Sequence, residues 1–447
     1  TAMLKNYIKL ALKVLSRRKF FTFISLFGIS FTLMVLMLIA SFIETEFGDN
    51  PPLSRNEDLV FIPMLSELYY QNDTIRDIDT LFNNGIATFD TTHLVKRQNE
   101  ASYISNSSMS HHVLEKYFTG LNAAEQSTFF SPDLTYDVYI NNSKLSIKTC
   151  ISDEGYWKVF DFMFKEGRPY NADEIKRGAL VAVITQSLSR KYFGTVDNLI
   201  GKEIEMDDKH FKIIGVVATP TSSANYVGCD IYIPYTAFPE NKDPSDYFGS
   251  FMAVFLIKNN SNIHNLKKEI LYRISKIPIL KPEDYNVIEA PSATFSETYA
   301  QQTLYEKDPE KSKRNLFLIM ASFIALFVLL PVLNLINLNI SRILDRSSEI
   351  GVRKAFGANT KNILFQFVFE NIIQTFIGGL LGLVFALVAI YLINDSQLLN
   401  NVRLVINFNF FIACFFISLL FGIISGLLPA LKMSKLSIVN ALKQNNI

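Results

Sequence analysis

Ser347-Ser348-Glu349-Ile350-Gly351-Val352-Arg353-Lys354-Ala355-Phe356-Gly357-Ala358 is a short charged stretch between two long apolar runs, 315–340 and 371–394. Its residue order suits a brief helix. Ser347 or Ser348 can cap the start with a hydroxyl, and Glu349 falls in the first turn, near the positive end of the helix dipole. Arg353 and Lys354 fall in the last turn, and Gly357 can take the left-handed position that stops a helix. Val352 and Phe356, four apart, share one face. Many cytoplasmic loops of membrane proteins are short, basic and helical. That explains the charge, but not a helix capped at both ends and tied between two spans.

Outward from this loop the chain reads as a membrane protein with four transmembrane α-helices and a large α+β extracytoplasmic domain inserted between the first and second. The spans are 20–43, 315–340, 363–394 and 408–431, each long enough to cross about 30 Å of hydrocarbon. Residues 3–19 form an amphipathic basic helix, with Leu4, Tyr7, Ile8, Ala11, Val14 and Leu15 on one face and Lys5, Lys9 and Lys13 on another. Such a helix lies along anionic headgroups of membrane lipids. Lys5 to Lys19 before the first span, Arg342 to Lys361 between the second and third, and Lys432, Lys435 and Lys443 after the fourth carry the positive charge. The loop 395–407 carries only Arg403. The positive-inside rule therefore places both termini, the 341–362 loop and the 432–447 tail in the cytoplasm.

The inserted domain is 44–313. Pro51-Pro52 ends any helical extension of the first span. Leu59–Ile62, Val181–Ile184, Phe211–Val217, Asp230–Ile233 and Met252–Ile257 are short β-rich runs. Tyr136–Ile140 and Lys144–Cys150 read as a hairpin across Asn141-Asn142. Gln186–Phe193 and Ile263–Ile277 have helical spacing. Polar residues 296–314 form a stalk descending into the second span.

Glu349 to Ala358 resembles the signature loop of MacB/FtsX-type ABC transporter permeases, E-I-G-[IV]-R-[KR]-A-[LF]-G-A. Phe160-Asp161-Phe162, Glu166-Gly167-Arg168, Val181–Ile184, Tyr192-Phe193-Gly194, Ile200-Gly201-Lys202 and Phe211–Val217 resemble the outer domain of the same family, and Leu428-Pro429-Ala430 its ending. Ser437, Ile438 and Asn440 depart from that ending. The resemblance implies a multi-pass protein of the bacterial inner (cytoplasmic) membrane. Residues Glu349, Ile350, Gly351, Val352, Arg353, Lys354, Ala355, Phe356 and Gly357 would form its coupling helix, docked on cytoplasmic ABC ATPase subunits. ATP and Mg2+ would bind that partner, and none would bind this chain. It further implies a dimer with a second permease, the same chain or a paralogue, and a periplasmic adaptor or substrate protein as partner. Mechanotransmission driving efflux or release of a periplasmic substrate is the expected function. The alternatives are an FtsX-like regulator of a cell-wall hydrolase and a four-span sensory receptor.

The residues themselves argue against enzyme chemistry. The chain has 447 residues with 43 basic and 42 acidic side chains, so no global field points to nucleic acid. No G-x-x-x-x-G-K-[ST] occurs: Gly194…Gly201-Lys202 has the wrong spacing, and Glu203 stands where a magnesium-binding hydroxyl is needed. His111 and His112 are adjacent and point apart, and the other histidines are scattered, so no metal site is expected. Cys150 and Cys229 either pair or remain buried thiols, and Cys414 is a small packing residue. Within the bilayer, Asn334, Asn337 and Ser341 form a polar stripe on the second span that calls for a helix partner. Gly378-x-x-x-Gly382 and Gly422-x-x-x-Gly426 each permit close helix approach.

Overall fold

The computed structural model describes residues 16, 19–83, 86–97, 101–140, 143–220, 226–238, 246–258, 263–344, 352, 356, 360–396, 404–406 and 408–434. The expected amphipathic helix at 3–19 falls almost entirely outside them. Two compact units result, one of residues 1–48 with 314–447, the other Asp49–Lys313.

In chain order, α1 is Lys19–Phe47, followed by strands β1 Leu59–Ile62, β2 Leu65–Tyr69, β3 Asn72–Asn83, β4 Ile86–Arg97 and β5 Tyr103–Ser107. Then come α2 His111–Phe118, β6 Ala124–Ile140, β7 Ser143–Ser152, α3 Tyr156–Val159, β8 Phe164–Gly167 and α4 Ala172–Lys176. β9 Val181–Thr185, α5 Gln186–Phe193, β10 Glu203–Met206, β11 Lys209–Val217, β12 Ile231–Pro234 and β13 Met252–Ile257 follow. α6 Ile263–Ile274, β14 Val287–Glu289, β15 Ala293–Thr294, α7 Phe295–Leu304, α8 Pro309–Leu344, α9 Thr360–Ser396 and α10 Phe408–Ser434 are the remaining elements among the described residues.

Ten strands of the Asp49–Lys313 unit form one mixed sheet, in the order β10-β11-β9-β12-β7-β6-β13-β1-β15 with β8 on β11. β9–β11 and β7–β12 are parallel pairs, and the rest are antiparallel. β1, β12 and β13 are buried along their whole length, which is why they read as continuous apolar runs. Val60, Ile184, Ile231, Ala253 and Phe255 share one core with Leu266 and Ile270 of α6 and Val113 and Leu114 of α2. Each buried aliphatic side chain there contributes about 1.5–3 kcal/mol. The anticipated hairpin is present and longer than read: β6 and β7 pair from Phe130↔Ser152 to Ile140↔Ser143.

β3 and β4 were not anticipated. They pair from Asn72↔Arg97 to Asn83↔Ile86 as a two-stranded sheet of their own. The residues read as a stalk, 296–314, carry most of one helix and the start of another. α7 ends at Tyr305, which sits in the left-handed region at φ 53°, and a new helix starts at Pro309. The last part of the stalk, 309–314, and the second span are therefore one 36-residue helix, α8.

The Glu166-Gly167-Arg168 motif is a knot at the sheet edge. Glu166 accepts from the backbone N–H of Asn198 (2.9 Å) and Leu199 (3.3 Å). Arg168 donates to both carboxylate oxygens of Glu174, at 2.8 and 2.7 Å, and its own N–H donates to Ile214 O at 3.0 Å. That guanidinium holds the Glu174 carboxyl below its ordinary range. Between them, Gly167 lies so close to β11 that an added Cβ would stand 2.0 Å from Ile214 O.

Asp153 fastens β6 to α3. Its carboxylate accepts from Thr128 Oγ1 (2.7 Å), Phe129 N (2.9 Å) and Tyr156 N (3.1 Å). Burial nevertheless pushes its pKa from 3.8 up to about 6, since these bonds only partly offset desolvation. Below about pH 4 both folded and unfolded chains hold the proton, and no penalty applies. Between about pH 4 and 6 only the folded chain holds it, so stability falls as pH rises, by about 3 kcal/mol in all. Urea midpoints measured from pH 4 to 7 are expected to decline across this window. Asp153→Asn, which cannot ionise, is expected to flatten that decline, and an unchanged slope would refute the assignment.

Candidate coupling site and helix contacts

Three helices are long and apolar enough to cross a membrane among the described residues, over Thr22–Phe47, Pro309–Leu329 and Val368–Ser396. α10 is a fourth long helix, 27 residues, with a shorter apolar stretch Phe408–Ile417.

α9 packs on α1 through its glycines. A Cβ at Gly378 would stand 2.7 Å from Ile29 Cγ2. At Gly382 it would stand 2.9 Å from Ser30 O, so a side chain there would force the two helix backbones apart. Gly379 faces the fourth helix, where a Cβ would meet Phe415 at 2.5 Å. The Gly378-x-x-x-Gly382 spacing thus serves contacts within one chain. Gly422 and Gly426 lie in α10, but their surroundings fall outside the described residues. The same holds for the side chains of Asn334, Asn337 and Ser341 on α8.

Between α9 and α10, the chain is tied to both neighbouring helices. Ser41 Oγ donates to Val405 O (2.6 Å) and Val405 N–H to Thr45 Oγ1 (3.0 Å). Leu404 N–H donates to Asn394 Oδ1 (2.9 Å), and Asn394 Nδ2 to Leu404 O (3.2 Å).

Of the coupling segment, Val352 and Phe356 are described. Phe356 N–H donates to Val352 O at 3.1 Å, the i to i−4 bond of an α-helix. Both side chains are exposed, Val352 at 46% and Phe356 at 88%. Glu349, Ile350, Gly351, Arg353, Lys354, Ala355 and Gly357 lie outside the described residues.

Sequence reasoning missed a polar cluster at the loop end of α9. Glu370 is 3% exposed and accepts from Gln366 Nε2 at 3.1 Å, and Asn371, Gln374 and Thr375 beside it are also buried. Asn371, Gln374, Thr375, Gly378 and Gly382 form one stripe at helical spacing. The uncharged run begins at Asn371, one residue after Glu370. Continuing the glycine periodicity backwards would have found the cluster.

The MacB-like periplasmic core domain matches residues 22–271, more than half of the 447, and the FtsX-like permease C-terminal domain matches 321–438. The chain belongs to the MacB/FtsX family of permeases. The permease is 24% identical over 320 residues to the macrolide export ATP-binding/permease protein MacB of Burkholderia cenocepacia, covering 70% of this chain and 44% of that one. It is 25% identical over 296 residues to the pyoverdine export ATP-binding/permease protein PvdT of Pseudomonas fluorescens, covering 65% and 42%. It spans less than half the length of these curated relatives. Among solved structures, the periplasmic region of MacB from Actinobacillus actinomycetemcomitans aligns at 13% identity over 57% of this chain and 95% of that one, with a TM-score of 0.35.

Proposed function

We propose that this permease is the membrane subunit of an ABC system in which a cytoplasmic ATPase on a partner chain drives movement of the periplasmic domain. The movement expels or releases a periplasmic substrate, in keeping with the export named for its relatives. ATP and Mg2+ belong to the partner. The permease spans the inner membrane four times with both termini in the cytoplasm, and it pairs with a second permease along α8, where Asn334, Asn337 and Ser341 recur at helical spacing.

One observation carries this reading. The Val352–Phe356 turn lies between α8 and α9 and presents an aromatic ring at 88% exposure. A bare Phe on a loop that short is costly in water and gains by entering an apolar pocket on a partner. Permease solubilised gently from native membranes is expected to bring down an ATP-binding chain. Phe356→Ser is expected to reduce its recovery at least tenfold while the permease itself reaches the membrane at normal level. Equal recovery with Phe356→Ser would sink the docking role.

A further inference from the structure

The Asp49–Lys313 unit holds two of the three cysteines in the chain, Cys150 and Cys229. They are 79 positions apart in sequence, yet the fold brings them together. Cys150 on β7 is the register partner of Tyr232 on β12, so both side chains rise from one face of the sheet. The Tyr232 hydroxyl donates to Cys229 O at 3.1 Å, which draws the turn before β12 back over that face. The turn is held in place by Asp230 N–H donating to Lys148 O (2.8 Å) and Lys148 N–H to Asp230 Oδ2 (3.1 Å). Cys150 is 0% and Cys229 3% exposed, and the Cys229 thiol donates to Pro132 O at 3.3 Å. Burial pushes the Cys150 thiol well above its ordinary range, and the neighbouring Cys229 thiol adds to that, as adjacent sulfurs do. A buried residue touches about 6–12 others, so two cysteines placed at random in a unit this size would be neighbours in roughly 4% of arrangements.

We propose that Cys150 and Cys229 are joined as a disulfide in the mature permease, tying β7 to the turn that leads into β12. Both are thiols in this structure. The inference rests on this domain facing the periplasm, an oxidising compartment. A thiol–disulfide oxidoreductase in its disulfide form is the oxidant. The thiolate of one cysteine attacks the donor's disulfide and forms a mixed disulfide, and the second thiolate then displaces the donor. Two thiols lose two protons and two electrons, the Cys150–Cys229 bond forms, and the donor leaves as a dithiol. Because both sulfurs are buried in the folded unit, the exchange belongs to folding, before the 226–230 turn closes. A bond closing so long a loop mainly restricts the unfolded chain. Cys414, in α10, stays a thiol and serves as an internal standard.

The test counts thiols. Cells expressing the full chain are quenched in acid, unfolded without reductant in N-ethylmaleimide, and the digested permease is weighed. One maleimide, on Cys414, and a linked 150–229 peptide pair are expected, rising to three maleimides if reductant is added first. Three maleimides without reductant overturn the proposal. In parallel, Glu205→Cys, at an exposed position, is treated with a membrane-impermeant maleimide on intact spheroplasts. Labelling alongside three free thiols refutes the disulfide and leaves the sidedness standing. Three free thiols with no labelling refute both.

Discussion

Gly167→Ala is expected to unfold the periplasmic unit, whereas Gly194→Ala is expected to be nearly tolerated. Both glycines sit in the left-handed region, at φ 71° and 72°. A non-glycine residue there costs about 1–2 kcal/mol. At Gly194, the stop of α5, a new Cβ would meet nothing within 4 Å, so that cost is the whole effect. At Gly167 the Cβ would stand 2.0 Å from Ile214 O and 2.7 Å from Ile200 Cδ1. The carbonyl cannot retreat cheaply, because it accepts the Arg168 N–H, and the next residue, Gly215, is the register partner of Gly167. An overlap that displaces a ladder belongs with the rare substitutions costing more than about 4–5 kcal/mol. That is comparable with the whole stability of many domains. Urea-dependent proteolysis of the full chain in membranes measures both variants. Equal midpoints for the two would refute this account of the motif.

Reversing the charges of Glu349 and Arg353 together is expected to abolish export activity while leaving insertion intact. The order of the loop places the acid at the start and the base at the end of a helix of about two turns. The reversed pair opposes the helix dipole at both ends and presents the wrong signs to any complementary groove. A like-for-like swap, Glu349→Asp with Arg353→Lys, should retain a measurable fraction of activity. Substrate accumulation in cells, with permease abundance followed by immunoblot, separates loss of coupling from loss of protein. Full activity in the doubly reversed variant would remove these two residues from the coupling role.

What the sequence made legible follows from where residues end up. β1 and β13 were read to the residue, because strands buried on every side are written as unbroken apolar runs. The membrane helices were legible as long uncharged stretches, though their ends were not: α8 begins at Pro309 and α9 at Thr360, since polar residues continue a helix beyond the lipid without changing its hydropathy signal. β3 and β4 escaped because Asp77, Asp79 and Asp90 interrupt any apolar alternation along the two segments. Glu370 escaped because a charge at the edge of an apolar run is ordinarily taken to mark its end. The Gly-Arg motif was legible as a resemblance only. That Gly167 is required by a carbonyl 47 positions later, Ile214 O, is visible only once β8 and β11 are paired.

The two sets of contacts between α1 and α9 have a mechanical consequence. They meet at Gly378–Gly382, and again near the end of α9 through residues 404 and 405, which are bonded to Asn394 on one side and to Ser41 and Thr45 on the other. Two rods pinned at one point can scissor, but pinned at two they cannot. α1 and α9 therefore behave as a single strut. Under the mechanism proposed above, a displacement entering at one end of this strut would reach the other as a rigid-body movement. α1 alone has a length of roughly 44 Å at 1.5 Å per residue.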